Sequence, residues 1–217
     1  MDQEKHPHSI EFKAWGERAL FTIPATRAGG EKCTYQIPTY EAIKGITESI
    51  YWKPTITWII DSVRVMNKIQ KESVGIKTMK YDKPGSDLSY YLYLVNVEYQ
   101  VKAHFEWNMQ REDLRNDWNS KKHLEQSKKR LLLGGTRGVY LGTSECFAYV
   151  EPCTFGEGIS HYDNVEKIAF GTMYHGLDYL NDGNVRYQRL WKPVMKHGII
   201  DFKRPEECHE RNEVTNL

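Results

Sequence analysis

The chain has 217 residues, of which 40% are hydrophobic and 12% are aromatic, so it has enough apolar surface to fold around a core rather than remain disordered. The 30 lysines and arginines nearly balance the 29 aspartates and glutamates. No segment approaches the roughly 20 apolar residues that span a bilayer, and the start of the chain shows no apolar export signal, so we expect a cytoplasmic protein without membrane contact.

The first two elements along the chain are predicted to be a strand and a helix. Residues 9–15, SIEFKAW, alternate between apolar and polar side chains, which is typical of a half-buried strand. In PTYEAIKGITESIYWKP, Thr39 is placed to cap a helix, and Pro54 is expected to stop it, so that Tyr51 lies in the last turn. This helix is predicted to bury a stripe of isoleucines spaced three or four residues apart: Ile43, Ile46 and Ile50.

Two more strands are predicted before the second helix. Residues 55–66, TITWIIDSVRVM, are rich in branched and aromatic side chains, whereas residues 67–89 are polar and are expected to form a long excursion. Residues 97–108, VEYQVKAHFEWN, alternate without a break. This pattern predicts a long antiparallel strand with one hydrated face, on which Lys102 and His104 would be exposed.

A second helix is predicted at about residues 120–133, capped by Asn119 or Ser120 and ended by Gly134 and Gly135. Short aromatic strands separated by glycines follow, and the last residues, EECHERNEVTNL, have four acids against one arginine. The order of elements favours an α+β fold with a ferredoxin-like (RRM-like) N-terminal domain, in the manner of a split βαβ unit. We expect this domain to be followed by a smaller C-terminal antiparallel β-sheet domain. The predicted bounds are 1–133 and 134–205, with a flexible tail at 206–217.

The segment NSKKHLEQSKKRLLLGGTRGVYLG, residues 119–142, concentrates positive charge. Between Lys121 and Arg137 it has six lysines and arginines and one acid, Glu125. A charge run is most often a solvated helix face. Here, however, the charges lead into a glycine-rich loop, and Lys102 and His104 would add to them, which favours a polyanionic partner.

Nucleic acid is the polyanion that the sequence favours. No P-loop is present, and GGTRG lacks the G-x-G-x-x-G spacing of a dinucleotide site, so we expect no cofactor. The cysteines form no C-x-x-C pair, so we expect no metal site. Several aromatic residues close to positive charges could stack on bases: Trp15, Tyr51, Trp52 and Trp118. An RNP1 strand is missing, so the stacking platform of ordinary RRM modules is not predicted.

The residues also suit the cleavage of RNA without a metal. The 2′-hydroxyl is the nucleophile, and the reaction needs a base, an acid and positive charge near the phosphate. Histidine and lysine supply these groups, and Lys122 and His123 can converge only near the start of the helix. Taken alone, a histidine beside lysines is structural more often than catalytic.

Five stretches of the chain resemble the CRISPR-associated RAMP proteins of the fifth Cas family, d subtype, from the type I-C (Dvulg) system. They are ESIYWKP, VRVMNKIQKESVGIK, YQVKAHFEWN, GTSECFAYVEPCTFGEG and GTMYHGLDY. The resemblance implies a metal-independent endoribonuclease that cleaves CRISPR repeat stem-loops in the precursor transcript by 2′-hydroxyl attack. The expected ends are a 2′,3′-cyclic phosphate and a 5′-hydroxyl.

The same resemblance implies which residues act and which partners bind. The catalytic residues would be Tyr51, Lys122 and His123, with the assignment of acid and base left open. The family's glycine-rich loop matches GGTRG, and together with the positive charge of the second helix it leads us to expect RNA contacts at Lys121, Lys128, Lys129, Arg130, Gly134, Gly135 and Arg137. The expected partners are the CRISPR repeat RNA hairpin and the other subunits of a type I-C interference complex, and DNA could bind through the same phosphate contacts.

Three alternatives remain open at this point. The chain could be a non-catalytic subunit that binds the RNA handle, or a structural protein with no nucleic-acid role. It could also be a metal-dependent nuclease, for which Glu112, Asp113 and Asp117 form the one candidate carboxylate cluster.

Overall fold

The computed structural model describes residues 8–79, 84–179 and 184–214, which form a mixed fold dominated by antiparallel sheet. The α+β class predicted from the sequence is therefore confirmed. The helices are α1 (Tyr40–Ile50) and α2 (Ser120–Leu132). The strands are β1 (Ser9–Ala19), β2 (Lys32–Cys33), β3 (Ile56–Val65), β4 (Lys71–Met79), β5 (Ser86–Trp107), β6 (Val139–Tyr140), β7 (Phe147–Pro152), β8 (Ile168–Ala169), β9 (Met173–Tyr179), β10 (Val185–Trp191), β11 (Val194–Lys196), β12 (Ile199–Asp201) and β13 (Glu210–Glu213).

Two sheets are formed by the described strands. The larger sheet has the order β6-β7-β1-β5-β3-β12-β11-β8, and β2 and β4 also pair with β5. The smaller sheet has the order β13-β10-β9. The pairing of β2 with β5 is parallel, whereas β5 pairs with both β1 and β3 in the antiparallel direction. The long strand β5 is thus the centre of the fold.

The helix α1 forms as its sequence predicts at the start but ends earlier. The Thr39 side chain accepts a hydrogen bond from the Ala42 backbone N–H, which confirms the predicted cap. The predicted isoleucine stripe is buried, and each buried isoleucine stabilises the fold by about 1.5–3 kcal/mol. Tyr51 is extended, with φ −154° and ψ 128°, so the helix stops before Tyr51 rather than at Pro54. Its backbone N–H still donates to the Thr47 carbonyl.

The predicted hydrated face of β5 is wrong. Gln100, Lys102 and His104 are 4%, 7% and 2% exposed, although the strand itself is antiparallel as predicted. The segment after β7 covers the part of this face around Gln100, whose amide donates to the Glu157 carbonyl at 2.7 Å and accepts from the Gly156 N–H at 2.9 Å, whereas Glu106 near the strand end is exposed. Alternating polarity marks two faces of a strand, but a polar face can be buried when other parts of the chain satisfy its hydrogen bonds.

The prediction that residues 67–89 form a long polar segment without strands is also wrong. Its described part forms β4 and the start of β5, which pair antiparallel from Lys71–Leu94 to Met79–Ser86. Residues 80–83 lie outside the described residues. On β4 exposed side chains alternate with half-buried ones, among them Val74 and Ile76, but none is fully buried, and the segment is polar enough to be taken for a loop.

The C-terminal strands divide between the two sheets. β6 and β7 extend the large sheet beyond β1, and β8, β11 and β12 extend it beyond β3. Within the predicted tail, Glu210–Glu213 pairs with β10; residues 215–217 lie outside the described residues. The partition into domains stays a prediction. In the described residues, neither helix has the length and the apolar content to cross a membrane.

Candidate active site

The C-terminal end of α1 and the N-terminal end of α2 meet above the core of the large sheet. The Trp58 indole on β3 donates to the Tyr51 carbonyl at 2.7 Å, which fixes the chain where it leaves α1. On α2, His123 packs against the rings of Phe105 and Trp107, with centroids 6.1 and 5.8 Å away. Because Trp58 also contacts Phe105, both helix ends rest on one aromatic layer.

A hydrogen bond joins the two helix ends. The Tyr51 hydroxyl lies 2.9 Å from His123 Nδ1, and the Asp117 backbone carbonyl lies 2.9 Å from His123 Nε2. A carbonyl only accepts, so Nε2 is the donor, and in the tautomer with the proton on Nε2 the acceptor for the Tyr51 O–H is Nδ1. Two side chains that are 72 positions apart in the sequence are thereby aligned as a proton donor and a proton acceptor.

Both members of this hydrogen bond are buried. His123 has no exposed surface, and Tyr51 is 6% exposed. Burial raises the pKa of the Tyr51 phenol above its ordinary value of 10.0, and the negative charge of Asp117 raises it further. The phenol therefore keeps its proton at neutral pH, and any transfer of that proton runs toward His123.

Asp117 organises the polar side of the site. Its carboxylate binds the Lys122 ammonium through Oδ1 and accepts from the Thr55 hydroxyl through Oδ2 at 3.3 Å. The hydrogen bond from Lys122 holds the pKa of this carboxyl below its ordinary value, so the group is ionised at neutral pH. The same Oδ2 lies 3.4 Å from His123 Nε2. One aspartate thus contacts both Lys122 and His123.

Local sequence explains why α2 begins here. The Asn119 side chain accepts from the Lys122 N–H at 3.0 Å, so Asn119 is the predicted cap. The buried stripe of α2 consists of His123, Ser127 and Leu131, four residues apart, which directs His123 into the core. Lys122, one position earlier, is exposed. The predicted convergence of Lys122 and His123 at the helix start therefore takes place through Asp117.

The glycine-rich loop is attached to the end of α1. α2 ends in a Schellman motif, in which the Gly134 N–H donates to the Leu131 carbonyl and the Gly135 N–H to the Arg130 carbonyl. Gly134 and Gly135 have φ values of 78° and 107°, which favour glycine. Next, the Thr136 N–H and the Arg137 N–H both donate to the Ser49 carbonyl, two residues before Tyr51.

The predicted RNA-binding residues lie on the surface. The exposed positive side chains are Lys121, Lys128, Lys129, Arg130 and Arg137, and Gly134 is exposed beside them. Gly135 is half-buried. The expected contribution of Lys102 and His104 to this positive surface is wrong, because both side chains are buried.

Of the four aromatic residues predicted to stack on bases, one is freely exposed. Trp52 is 50% exposed, whereas Tyr51 is buried and Trp15 is half-buried. Trp118 stacks on Trp107 with ring centroids 5.5 Å apart and an angle of 7° between the planes. A short sequence distance to a lysine therefore says little about whether an aromatic ring is free to stack on RNA.

Two of the three carboxylates considered as metal ligands have other partners. Asp113 pairs with Arg111 at 2.8 Å, and Asp117 binds Lys122. Across the ranges that the structure describes, no three side chains of the His, Cys, Asp and Glu types are grouped as metal ligands would be.

Asp117 was considered from the sequence as a metal ligand only, and its position two residues before the helix cap was the one available signal of its role. No feature of the sequence indicated that Thr55 would donate to the Asp117 carboxylate.

Comparison with known proteins identifies the family. The family model described as CRISPR-associated protein (Cas_Cas5), for the Cas5d group, matches residues 9–203. A protein of Mannheimia succiniciproducens named CRISPR pre-crRNA endoribonuclease Cas5d is 26% identical over 88% of this chain and 93% of its own length.

Two solved structures are similar in fold and sequence. The crystal structure of a CRISPR-associated protein has a TM-score of 0.78 and 34% identity, and covers 94% of this chain and 96% of its own. A functionally uncharacterized protein from Streptococcus mutans has a TM-score of 0.80 and 39% identity at the same coverage. Because the family model matches most of its length, the chain belongs to the Cas5d family of CRISPR-associated proteins.

Proposed function

We propose that this chain is a pre-crRNA endoribonuclease that cleaves CRISPR repeat hairpins without a metal. The Tyr51–His123 hydrogen bond beside Lys122 is the observation that carries the proposal, since it supplies a proton relay and a positive charge in one place. The printed name of the Mannheimia relative, which covers 88% of this chain, supports the same reaction.

In the proposed mechanism, the 2′-hydroxyl of the RNA gives its proton to the Tyr51 oxygen while Tyr51 gives its own to His123 Nδ1. The 2′-oxygen forms a bond to phosphorus, and the bond to the 5′-oxygen breaks, which leaves a 2′,3′-cyclic phosphate. The imidazolium keeps both N–H groups, with Nε2 still held by the Asp117 carbonyl. Because His123 is fully buried, it acts through Tyr51 rather than by touching RNA.

Lys122 stabilises charge and protonates the leaving group in the proposed mechanism. Its exposed ammonium stabilises the negative charge on the phosphorus-bound oxygens and offers an N–H to the departing 5′-oxygen, which leaves as a hydroxyl. Asp117 is a positioning residue that restricts where this ammonium can lie. The exposed side chains of α2 and the glycine-rich loop hold the flanking phosphates.

We also propose that the fold is ferredoxin-like. The supporting observations are the order β7-β1-β5-β3 and the chain order β1, α1, β3, β5, α2, β7, which is that of a split βαβ unit. In this arrangement the unit extends to Pro152, beyond the boundary predicted at residue 133. After cleavage the chain remains on the RNA as a subunit of a type I-C interference complex.

The complete burial of His123 favours a second candidate, a subunit that binds the RNA handle without cutting it. Incubation of end-labelled repeat RNA from the same genome in EDTA separates the two. Cleavage at one site with a 2′,3′-cyclic phosphate end supports the endoribonuclease. Tight binding with intact RNA would instead support the handle-binding subunit.

Removal of the Asp117 charge tests the positioning role. Asp117→Asn keeps the backbone carbonyl that holds His123 but weakens the bond to Lys122, so we expect about a tenfold slower cleavage at saturating RNA, equivalent to roughly 1.4 kcal/mol. In a Lys122→Ala background the same change should have little further effect, because the two residues act together. Asp113→Asn, which removes an acid paired with Arg111, is the matched control. Equal slowing by both substitutions, or additive losses with Lys122→Ala, would contradict this role.

The salt dependence of RNA binding tests the positive surface. Replacement of both Lys128 and Lys129 with alanine should reduce the slope of log K against log salt by about 1.4–1.8, because each lost phosphate contact contributes about 0.7–0.9. Lys167 and Lys196, which are exposed elsewhere, provide the control pair. An unchanged slope in the α2 variant would show that these lysines do not contact phosphates.

A further inference from the structure

A cavity of about 390 Å³ lies between the C-terminal half of α2 and the adjoining parts of β1 and β7. Its apolar walls include Ile10, Leu131 and Pro152, and Glu11, Lys128 and Cys153 add polar groups. The volume is that of a pocket for a small ligand or for one flat ring system, at the lower end of the usual range for ligand sites. None of the chemistry proposed above uses this cavity.

Glu11, one of the residues that line the cavity, has an oriented carboxylate. Glu11 Oε2 accepts from the Phe155 backbone N–H at 2.9 Å, which fixes the plane of the carboxylate. Among the described residues, Glu11 Oε1 has no hydrogen-bond partner. A carboxylate oxygen held in this way accepts from an amino group, as glutamate does from the exocyclic amine of cytosine.

The mouth of the cavity is continuous with the proposed RNA-binding surface. Lys128 lines the cavity and is exposed on α2 next to Lys129. It follows His123 by five residues, which corresponds to about 7.5 Å along the helix axis at about 1.5 Å per residue. A strand of RNA whose phosphates follow α2 therefore passes the cavity within a few nucleotides of the cleavage site.

We infer that this cavity receives one unpaired nucleobase of the bound RNA, with Lys128 on its phosphate and Glu11 accepting from its exocyclic amino group. Proteins that recognise RNA by sequence usually bind bases that are turned out of a stack in single-stranded segments. Uracil has no amino group, so adenine, cytosine or guanine is preferred there. The inference rests on the proposed function, because the ligand is the same RNA.

Cys153 allows a direct test in the wild-type chain. Its thiol lines the cavity and is half-buried, and burial raises its pKa to about 11, so its alkylation by N-ethylmaleimide is slow enough to follow by mass spectrometry. Cys33, half-buried on β2, is the internal reference. With repeat RNA at about 100 times its Kd, we expect alkylation of Cys153 to slow at least about tenfold relative to Cys33.

Abasic RNAs separate insertion of a base from simple coverage by the backbone. Each unpaired nucleotide beside the hairpin is replaced in turn by an abasic one, and one replacement is expected to restore the alkylation of Cys153. Protection that survives every replacement would overturn the inference. So would RNA that binds and is cut while Cys153 stays unprotected, although the proposed function would then stand. RNA that does not bind at all would overturn both.

Glu11→Gln tests the polarity of the contact. The glutamine carbonyl can still accept from the Phe155 N–H, which turns the amide N–H groups toward the cavity. At the position found with abasic RNA, the wild type should prefer an amino-bearing base over uracil by about tenfold, and Glu11→Gln should lose or reverse this preference. Glu17→Gln, an exposed acid on the same strand, is the control. An unchanged preference in Glu11→Gln would contradict the assigned contact.

Discussion

Replacement of Tyr51 by phenylalanine is expected to slow the cleavage of repeat RNA by about 10²–10⁴-fold, the usual contribution of a positioned proton-transfer group. The substitution removes one oxygen, the atom that lies 2.9 Å from His123 Nδ1, and leaves the ring in place. RNA binding should change less than about twofold, because the positive side chains are untouched. Single-turnover cleavage and a binding isotherm measure the two effects separately.

Tyr162 provides a matched control for this substitution. Its ring is 8% exposed, against 6% for Tyr51, and its hydroxyl accepts from the Ile69 N–H at 2.8 Å, outside the site. Tyr162→Phe leaves a backbone N–H without a partner and should cost about 1–3 kcal/mol of stability, yet cleavage at a temperature where the variant is folded should be unaffected. If both phenylalanine variants lost cleavage equally, stability rather than proton transfer would explain the effect of Tyr51.

The second large effect is expected for His123→Gln. Glutamine can donate its amide N–H to the Asp117 carbonyl as the imidazole does, but it cannot accept a proton from Tyr51 at neutral pH. Cleavage should therefore fall by about 10²–10⁴-fold while the melting temperature and RNA affinity stay close to those of the wild type. Parallel measurements of cleavage, thermal unfolding and RNA binding distinguish loss of chemistry from loss of structure.

His175 is the control for this change. It is also fully buried, and its Nε2 donates to a backbone carbonyl, that of Lys203, at 2.8 Å. Burial lowers the pKa of His175 to about 4, so it is neutral at pH 7 and remains an uncharged structural residue. His175→Gln should keep the rate of the wild type. If His123→Gln cut RNA as fast as His175→Gln, His123 would be structural as well, and the relay would be wrong.

Much of the fold can be predicted from local pattern. Thr39 and Asn119 cap the two helices because their side chains accept hydrogen bonds from backbone N–H groups. Such a cap depends on only a few adjacent residues, so it can be predicted from the sequence. Gly134 ends α2 because its φ of 78° favours glycine. The wrong prediction of a hydrated face on β5 arose because the surroundings of a strand depend on distant segments. Gln100 is buried by residues near Glu157, which no local pattern around β5 could indicate.

The candidate site was predictable in part for the same reason. The sequence predicts Tyr51 near the end of one helix and His123 near the start of the other, the family resemblance pairs them as catalytic residues, and in the structure they lie at hydrogen-bond distance. The burial of His123 was not predicted, because a histidine among lysines suggests a surface, whereas the spacing with Ser127 and Leu131 directs it inward. The role of Asp117 beside Lys122 and His123 was not predicted, because its two contacts with α2 depend on the turn that precedes the helix.

The most direct test of the central claim is cleavage, in EDTA, of repeat RNA with a single 2′-deoxy nucleotide at the scissile position. The account predicts that the wild-type chain cuts the all-ribose RNA once and leaves a 2′,3′-cyclic phosphate. It also predicts that the chain binds the 2′-deoxy RNA with similar affinity but leaves it intact. Cleavage of the 2′-deoxy RNA would mean that water rather than the 2′-hydroxyl attacks the phosphate. In that case the proton relay from Tyr51 to His123 would not be the source of the reaction.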